Sequence, residues 1–303
     1  MKLLILGGTG FFGKSILDRF IKLELKKYNI NSVCVFSRNA DTFLKKYPEF
    51  NNKNIKYIKG DITSIKFLPE ADIVIHAATS ASQINYLVNP EGEKQNIILG
   101  TFNYTQLAKK FHNNAKIVYC SSGAVYGKQP NEKKGINEDF PFQDILELPK
   151  EKRDYALGKR DAEKQIKELG KSGLNVAIAR CFAFFGDYLP KEGHFAYGNF
   201  LNLAEQGKDI EVKATHQVIR SYMHADDLVD SLIQIALTSN PSCPIFNVGS
   251  DEETSIFELA NQIALKYNVR ASKNKNINLK IIDRYVPNTD KLKNLKINFE
   301  SNN

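Results

Sequence analysis

Cysteine is scarce: Cys34, Cys120, Cys181 and Cys243 are the only four, scattered over 303 positions. That spacing provides neither a disulfide framework nor the paired thiolates of a zinc site, and no metal centre is expected. Three of the four fall in segments that read as strands, so they are assigned to the core of a reduced, cytoplasmic protein. Long apolar runs are also missing. Nothing approaches the length of a membrane span, and the first apolar stretch, Leu3 to Leu6, is too short for a secretory signal. Neither internal repeats nor a disordered linker breaks the chain. Carboxylates are outnumbered, 34 against 42 lysines and arginines, which leaves a net charge of +8. The excess is mostly lysine spread over helices and loops. That is the pattern of a solvated surface, not of a nucleic-acid partner, and it suits an anionic substrate. With 42% hydrophobic residues there is ample core, enough for two ordinary domains or one α/β domain with an elaborated end.

What is present begins with Lys2–Leu6, a short buried strand. Gly7-Gly8-Thr9-Gly10-Phe11-Phe12-Gly13 follows, then a helical pattern carrying Ile16, Leu17, Phe20 and Ile21. A G-x-x-G-x-x-G run at a strand-to-helix junction reads as a dinucleotide site. Its glycines permit the tight turn and let the backbone approach a pyrophosphate, which the helix N-terminus stabilises. Gly7, Thr9, Gly10, Phe11, Phe12 and Gly13 are therefore cofactor candidates. A second strand, Ser32 to Phe36, ends in Ser37-Arg38, where NAD sites usually carry an acid for the ribose hydroxyls. An arginine accommodates the extra 2′-phosphate instead, so NADP(H) is expected to bind in preference to NAD(H). Strands over Ile55–Lys59 and Asp72–Ile75 come next. The latter runs into His76-Ala77-Ala78-Thr79, whose small residues suit backbone passing close to a cofactor. His76 itself reads as a packed strand-end residue.

A helical pattern over 86–112 leads to the strand Ile117–Cys120. Strands alternating with helices at this spacing imply a doubly wound, Rossmann-type parallel sheet with right-handed crossovers. The strand ends in Ser121-Ser122-Gly123, at the carboxyl edge where open α/β sheets bind ligands. After a polar loop over 128–152, Tyr155 and Lys159 stand at i and i+4 on a helix and share one face. An ammonium beside a phenol favours the phenolate, so a lowered Tyr155 pKa is expected, giving an acid/base usable near neutral pH. A sixth strand covers Leu174–Arg180. Beyond it, helical patterns at 196–206, 224–238 and 255–267 mix with short strands near 210–213 and 244–248. The Asn/Lys-rich tail, 270–303, carries only a weak strand at Leu279–Ile282. The expected division is a dinucleotide-binding domain over 1–180 and a smaller α/β substrate lobe over 181–303, with some segments returning to the sheet.

Taken together, Gly7/Gly10/Gly13, Gly60-Asp61-Ile62, His76-Ala77-Ala78, Asn96 with Gly100-Thr101, Ser121-Ser122-x-x-Val125-Tyr126-Gly127 and Tyr155-x-x-x-Lys159 resemble the extended short-chain dehydrogenase/reductases. More narrowly, they are similar to the nucleotide-sugar epimerase, dehydratase and reductase branch. Arg220-Ser221-Tyr222-Met223-His224-Ala225-Asp226-Asp227, Asn247-Val248-Gly249 and Arg284-Tyr285-Val286-Pro287-Asn288-Thr289 extend the likeness over nearly the whole chain. The resemblance implies that Tyr155 is the acid/base, that Lys159 lowers its pKa and holds the nicotinamide ribose, and that Ser122 bonds the reacting oxygen. It puts Asp61 and Ile62 at the adenine and adds Asn96, Ala77, Ala78 and Thr79 to the cofactor set. It also offers Asn199, Arg220 and Arg284 to the substrate's diphosphate, which a planar guanidinium fork suits.

Dehydratases of that branch carry Asp-Glu directly after the active Ser/Thr. Here Gly123 and Ala124 occupy those places and have no side chain that exchanges a proton. The interval from Ser122 to Tyr155 is also longer than usual in the 4-epimerases. The expected function is an NADP(H)-dependent reductase of a nucleotide-linked 4-keto sugar. A 4-epimerase with bound NAD(P) is the alternative, ahead of a 4,6-dehydratase or a non-catalytic dinucleotide-binding protein. The branch further implies a homodimer built on the helix bearing Tyr155 and the helix near 90–110.

Overall fold

Leu3–Leu6, Val33–Phe36 and Ile73–Ile75 are near-continuous apolar runs. Such runs bury both faces only in a sheet covered by helices on each side. A computed structural model describes residues 1–79, 87–146, 148, 150–193, 195–274 and 276–301 and has this architecture. Residue 86, the expected start of the long helix, lies outside them, as do positions 147 and 149 of the polar loop.

The first six strands are β1 (Lys2–Leu6), β2 (Ser32–Ser37), β3 (Ile55–Lys59), β4 (Ile73–His76), β5 (Lys116–Ser122) and β6 (Asn175–Cys181). Then come β7 (Phe184–Phe185), β8 (Ile210–Val212), β9 (His216–Arg220), β10 (Met223–His224), β11 (Ile245–Val248), β12 (Thr254–Ser255), β13 (Ala271–Lys273) and β14 (Asn278–Tyr285). The helices are α1 (Phe11–Ile21), α2 (Ala40–Lys46), α3 (Pro90–Phe111), α4 (Lys150–Lys171), α5 (Ala196–Glu205), α6 (Ala225–Leu237), α7 (Ile256–Tyr267) and α8 (Asp290–Ser301).

Seven strands form one parallel sheet in the order β11-β6-β5-β4-β1-β2-β3. The chain winds outward in opposite directions from β1 and β4, which makes the gap between them the switch point where such sheets bind ligands. Alternation along β1 sends Leu3 and Ile5 to one face and Leu4 and Leu6 to the other. The first face packs on Ile16 and Leu17 of α1 and Leu228 and Leu232 of α6. The second packs on Ile97 and Tyr104 of α3 and Ala162 and Ile166 of α4.

The smaller lobe has its own core, in which Phe200, Ile210 and Val212 meet Leu259, Ala260 and Ile263. A capping box starts α7: Ser255 Oγ accepts from the Glu258 N–H (3.1 Å), and the Glu258 carboxylate accepts from the Ser255 N–H (2.7 Å). Residues beyond 181 therefore divide, with α6, β11 and α8 packing on or extending the large sheet. The tail is more ordered than the sequence implied. β14 starts one residue before the expected strand, runs on to Tyr285 and pairs with β9, while Leu292 and Leu295 seat α8 against the main core.

Candidate active site

The loop between β1 and α1 enters the switch point. Gly7 has φ +84° and donates its N–H to the Phe36 carbonyl (2.9 Å). A Cβ there would stand 2.6 Å from the Ala77 carbonyl oxygen at the end of β4, so only glycine lets the two backbones pass. Gly10 caps α1 with no side-chain acceptor, and the first turn carries no acid. The N–H groups and positive dipole end of α1 are thus left to an anion. Thr9 Oγ1 and Ser37 Oγ, 2.7 Å apart, pin the loop to the end of β2, and Arg38 lies exposed just beyond.

Burial pushes the Asp61 carboxyl up. The N–H (2.9 Å) and hydroxyl (2.8 Å) of Thr63, with the charge of Arg38, outweigh this and hold it below the ordinary value. Asn103 of α3 fixes the same loop by donating to the carbonyls of Ile62 (2.8 Å) and Ile65 (2.9 Å). A dinucleotide fits this set: a cradle that a Cβ would fill, an uncapped helix end and a cation beside β2. Asn96 stands at an exposed position of α3.

The candidate reaction centre lies where β5 ends. Lys159 of α4 is 2% exposed and donates to the Cys120 carbonyl (2.8 Å), Thr79 Oγ1 (2.9 Å) and Tyr119 OH (3.3 Å). Burial brings its pKa down to about 8, against the opposing influence of Cys120, Cys181 and Glu163. Tyr155 departs from expectation. Burial pushes its phenol up to about 12, with only a hydrogen bond to Ser122 working the other way. Lys159 does not reverse this, because its ammonium is 5.9 Å from the Tyr155 ring centroid and is committed to three other acceptors.

A second phenol faces the same serine. Tyr285 OH lies 3.5 Å from Ser122 Oγ and 3.5 Å from the Cys181 carbonyl oxygen. Its ring packs on Phe182 with centroids 4.7 Å apart. Three hydroxyls therefore converge where an oxygen gaining negative charge would be stabilised. His76 takes no part. It is 1% exposed, edge-on to Tyr104 and Tyr119, and burial, then the charge of Lys159, lowers its pKa to about 3.

A buried polar network forms the floor. Ser121 Oγ donates to Glu163 Oε1 (2.6 Å), and Arg180 grips both carboxylate oxygens of Glu163 (3.0 and 2.8 Å). Arg180 also donates to Tyr126 OH (2.9 Å) and the Glu138 carbonyl (3.0 Å). Tyr126 OH donates to Asn247 Oδ1 (2.8 Å), and Asn247 Nδ2 reaches the carbonyls of Ile136 (2.8 Å) and Asn288 (3.3 Å). The Arg180–Glu163 charges are almost wholly buried and hold together because their remaining hydrogen-bonding capacity is met by these neighbours.

Residues 3–249 match the model of the NAD dependent epimerase/dehydratase family. The chain belongs to that family. It is 30% identical over 267 residues to UDP-glucuronic acid decarboxylase 1 of Danio rerio, covering 86% of this chain but only 60% of that protein. It is 28% identical over 269 residues to UDP-glucuronic acid decarboxylase 3 of Arabidopsis thaliana, covering 87% and 73% of the two chains. Among solved structures it is similar to a UDP-N-acetylglucosamine 4-epimerase from Methanobrevibacter ruminantium M1, with TM-score 0.79, 22% identity and coverage of 97% and 91%. It is also similar to DesIV, a dTDP-glucose 4,6-dehydratase from Streptomyces venezuelae solved with NAD, with TM-score 0.79, 18% identity and coverage of 97% and 90%. At such identities these two structures speak for the fold.

Within this epimerase/dehydratase family member, the three residues assigned to a substrate diphosphate all have internal partners. Arg220 is paired with Asp283 (2.8 Å) and donates to the backbone carbonyl of that residue. Arg284 is paired with Glu253, although its Nε is buried with no hydrogen-bond partner. Asn199 Nδ2 donates to the Gly193 carbonyl (2.7 Å). Sequence reasoning placed Tyr285 in a family stretch but gave it no role, and it missed Phe182 and the Glu163–Arg180 pair. For Arg180 a signal existed, a lone charge ending the apolar run Val176–Ala179. Among the described residues no three His, Cys, Asp or Glu side chains converge to hold a metal ion, and no helix is long and apolar enough to cross a membrane.

Proposed function

We propose that this epimerase/dehydratase family member reduces the C4 ketone of a nucleotide-linked sugar, with NADPH as the reductant. The observation that carries this reading is the placement of Tyr155 against Ser122 at the end of β5, with no second side-chain acid on the Gly123-Ala124 turn. When bound, the nicotinamide supplies hydride. The Gly7–Gly13 loop and the N-terminus of α1 hold the pyrophosphate, Ser37 and Arg38 the 2′-phosphate, Asp61 and Ile62 the adenine. Ala77, Ala78, Thr79 and Lys159 line the way to the reaction centre.

Ser122 and Tyr155 hold the ketone oxygen, and Tyr155 passes it the phenolic proton as negative charge develops. Donors placed at that oxygen act chiefly in the transition state. A phenol with a raised pKa keeps its proton at neutral pH and releases it only to a strong base, which a sugar alkoxide is. Arg220 and Arg284 are assigned to the diphosphate, which they would reach by sharing or leaving Asp283 and Glu253. A second copy of the chain covers α3 and α4, where Leu99 and Phe102, one turn apart, and Leu157 are exposed.

The test is stoichiometry. Incubated with nucleotide 4-keto sugars, the protein should consume one NADPH per product formed. Tyr155→Phe should lower turnover by roughly 10²–10⁴, with nucleotide-sugar affinity nearly unchanged. The relatives named UDP-glucuronic acid decarboxylases favour a second reading. In it a UDP-linked uronic acid loses CO₂ with no net consumption of reductant. Sugar conversion at constant NADPH would replace the first reading by the second or by an epimerase.

A further inference from the structure

The space beside Ser122 is shared between two residues far apart in the chain. A Cβ built on Gly123 would lie 2.7 Å from Tyr285 OH and 2.7 Å from the Phe182 ring. The phenol thus stands where any side chain at position 123 would begin. Resting on the reading above, we propose that Tyr285 is a third donor to the reacting oxygen, filling from β14 the place that Gly123 leaves open on the β5 turn.

The hydroxyl is not committed elsewhere. Its contacts to Ser122 Oγ and the Cys181 carbonyl are both 3.5 Å, well beyond the usual 2.5–3.0 Å of an O–H···O bond. Its position is set by backbone more than by side-chain freedom. Tyr285 pairs with Arg220 in the β14–β9 ladder. Val286 donates its N–H to Gln129 Oε1 (2.9 Å), and its carbonyl accepts from the Ile136 N–H (3.3 Å). Phe182 backs the ring from β6's end. Tyr285 as a whole is half-buried, whereas Ser122 beside it is buried. Burial raises its pKa above the ordinary value, which keeps it a donor across the working range. An oxygen seated between Ser122 and Tyr155 would thus meet Tyr285 from the Gly123 side, shortening two long contacts into one productive bond.

Tyr285→Phe keeps the ring against Phe182 and removes only the hydroxyl. Loss of one preorganised donor should lower kcat by about 10², with the KM for NADPH and the thermal midpoint unchanged. Gly123→Ala, whose methyl competes for the same space, should lower kcat similarly. In the Tyr285→Phe background it should add little, because both changes remove the same interaction. The probes are nucleotide 4-keto sugars with NADPH, and stabilisation of the protein by the corresponding UDP- and TDP-sugars. An active wild type with an equally active Tyr285→Phe, or losses that multiply in the double variant, would overturn this inference alone. A wild type that neither reduces nor is stabilised by any nucleotide sugar would overturn the functional reading and this inference with it.

Discussion

Lys159 gives a stability signature that does not depend on knowing the substrate. Its ammonium is buried and its pKa falls from 10.5 to about 8 on folding. Below pH 8 the lysine is protonated both folded and unfolded, and the full cost of burying the charge is present. Between pH 8 and 10.5 the unfolded chain holds more protons than the native one, so stability rises with pH. Above 10.5 both forms are neutral and the cost is gone. At about 1.4 kcal/mol for each pH unit of that gap, the charge costs the fold about 3 kcal/mol. The assay is urea unfolding in steps from pH 7 to 10.5, on wild type and Lys159→Met. Methionine leaves Thr79, Tyr119 and the Cys120 carbonyl without their donor, a loss that offsets the curve but gives it no slope. Subtracting the variant removes the titration of the other lysines and tyrosines. The wild-type minus variant difference should climb by about 3 kcal/mol across the window. A difference that stays flat would refute the claim that burial dominates the lysine.

Arg38→Asp should reverse a preference for NADP(H) into one for NAD(H) in direct binding measurements, and a wild type that binds NAD(H) as tightly as NADP(H) would sink the assignment. Glu163→Ala strands the Arg180 guanidinium in the interior and should cost about 3–5 kcal/mol, read as a lower urea midpoint; a loss under about 1 kcal/mol would mean the pair behaves like a surface one. Leu99→Glu with Phe102→Glu should turn a dimer into a monomer in sedimentation, and a monomeric wild type at micromolar concentration would count against that surface.

Periodicity revealed those elements whose burial is two-sided. β1, β2, β4, β5 and β6 run apolar on both faces, and the glycine loop announced its place at the first of them. β9 and β14 belong to a three-stranded sheet whose residues are largely half-buried, so His216–Arg220 and the residues around Leu279–Ile282 carry no clean alternation. In helix α8 the described side chains that turn inward are Leu292 and Leu295, and the lysines and asparagines of its sequence read as tail. Spacing showed that Tyr155 and Lys159 share a face but not how deep they lie, and depth decided both pKa shifts in the direction of the neutral form. The carboxylates that engage the two arginines come from elsewhere: Asp283 reaches Arg220 from a neighbouring strand, and Glu253 reaches Arg284 from the loop before β12. Such partners are set by tertiary pairing, which no local pattern encodes.

The clamp of Val286 and Asn288 onto Gln129, Ile136 and Asn247 makes the order of synthesis matter. A chain emerges from its N-terminus, and early parts fold first. The glycine loop, Ser122, Tyr155 and Lys159 are all made before β14 exists. A nascent or shortened chain lacking β14 would hold the glycine loop over a Ser122 with no wall on the β14 side, leaving the proposed dinucleotide site in place and the proposed sugar site incomplete. A chain shortened before Asn278 should reproduce that half-finished state, separating dinucleotide binding from turnover.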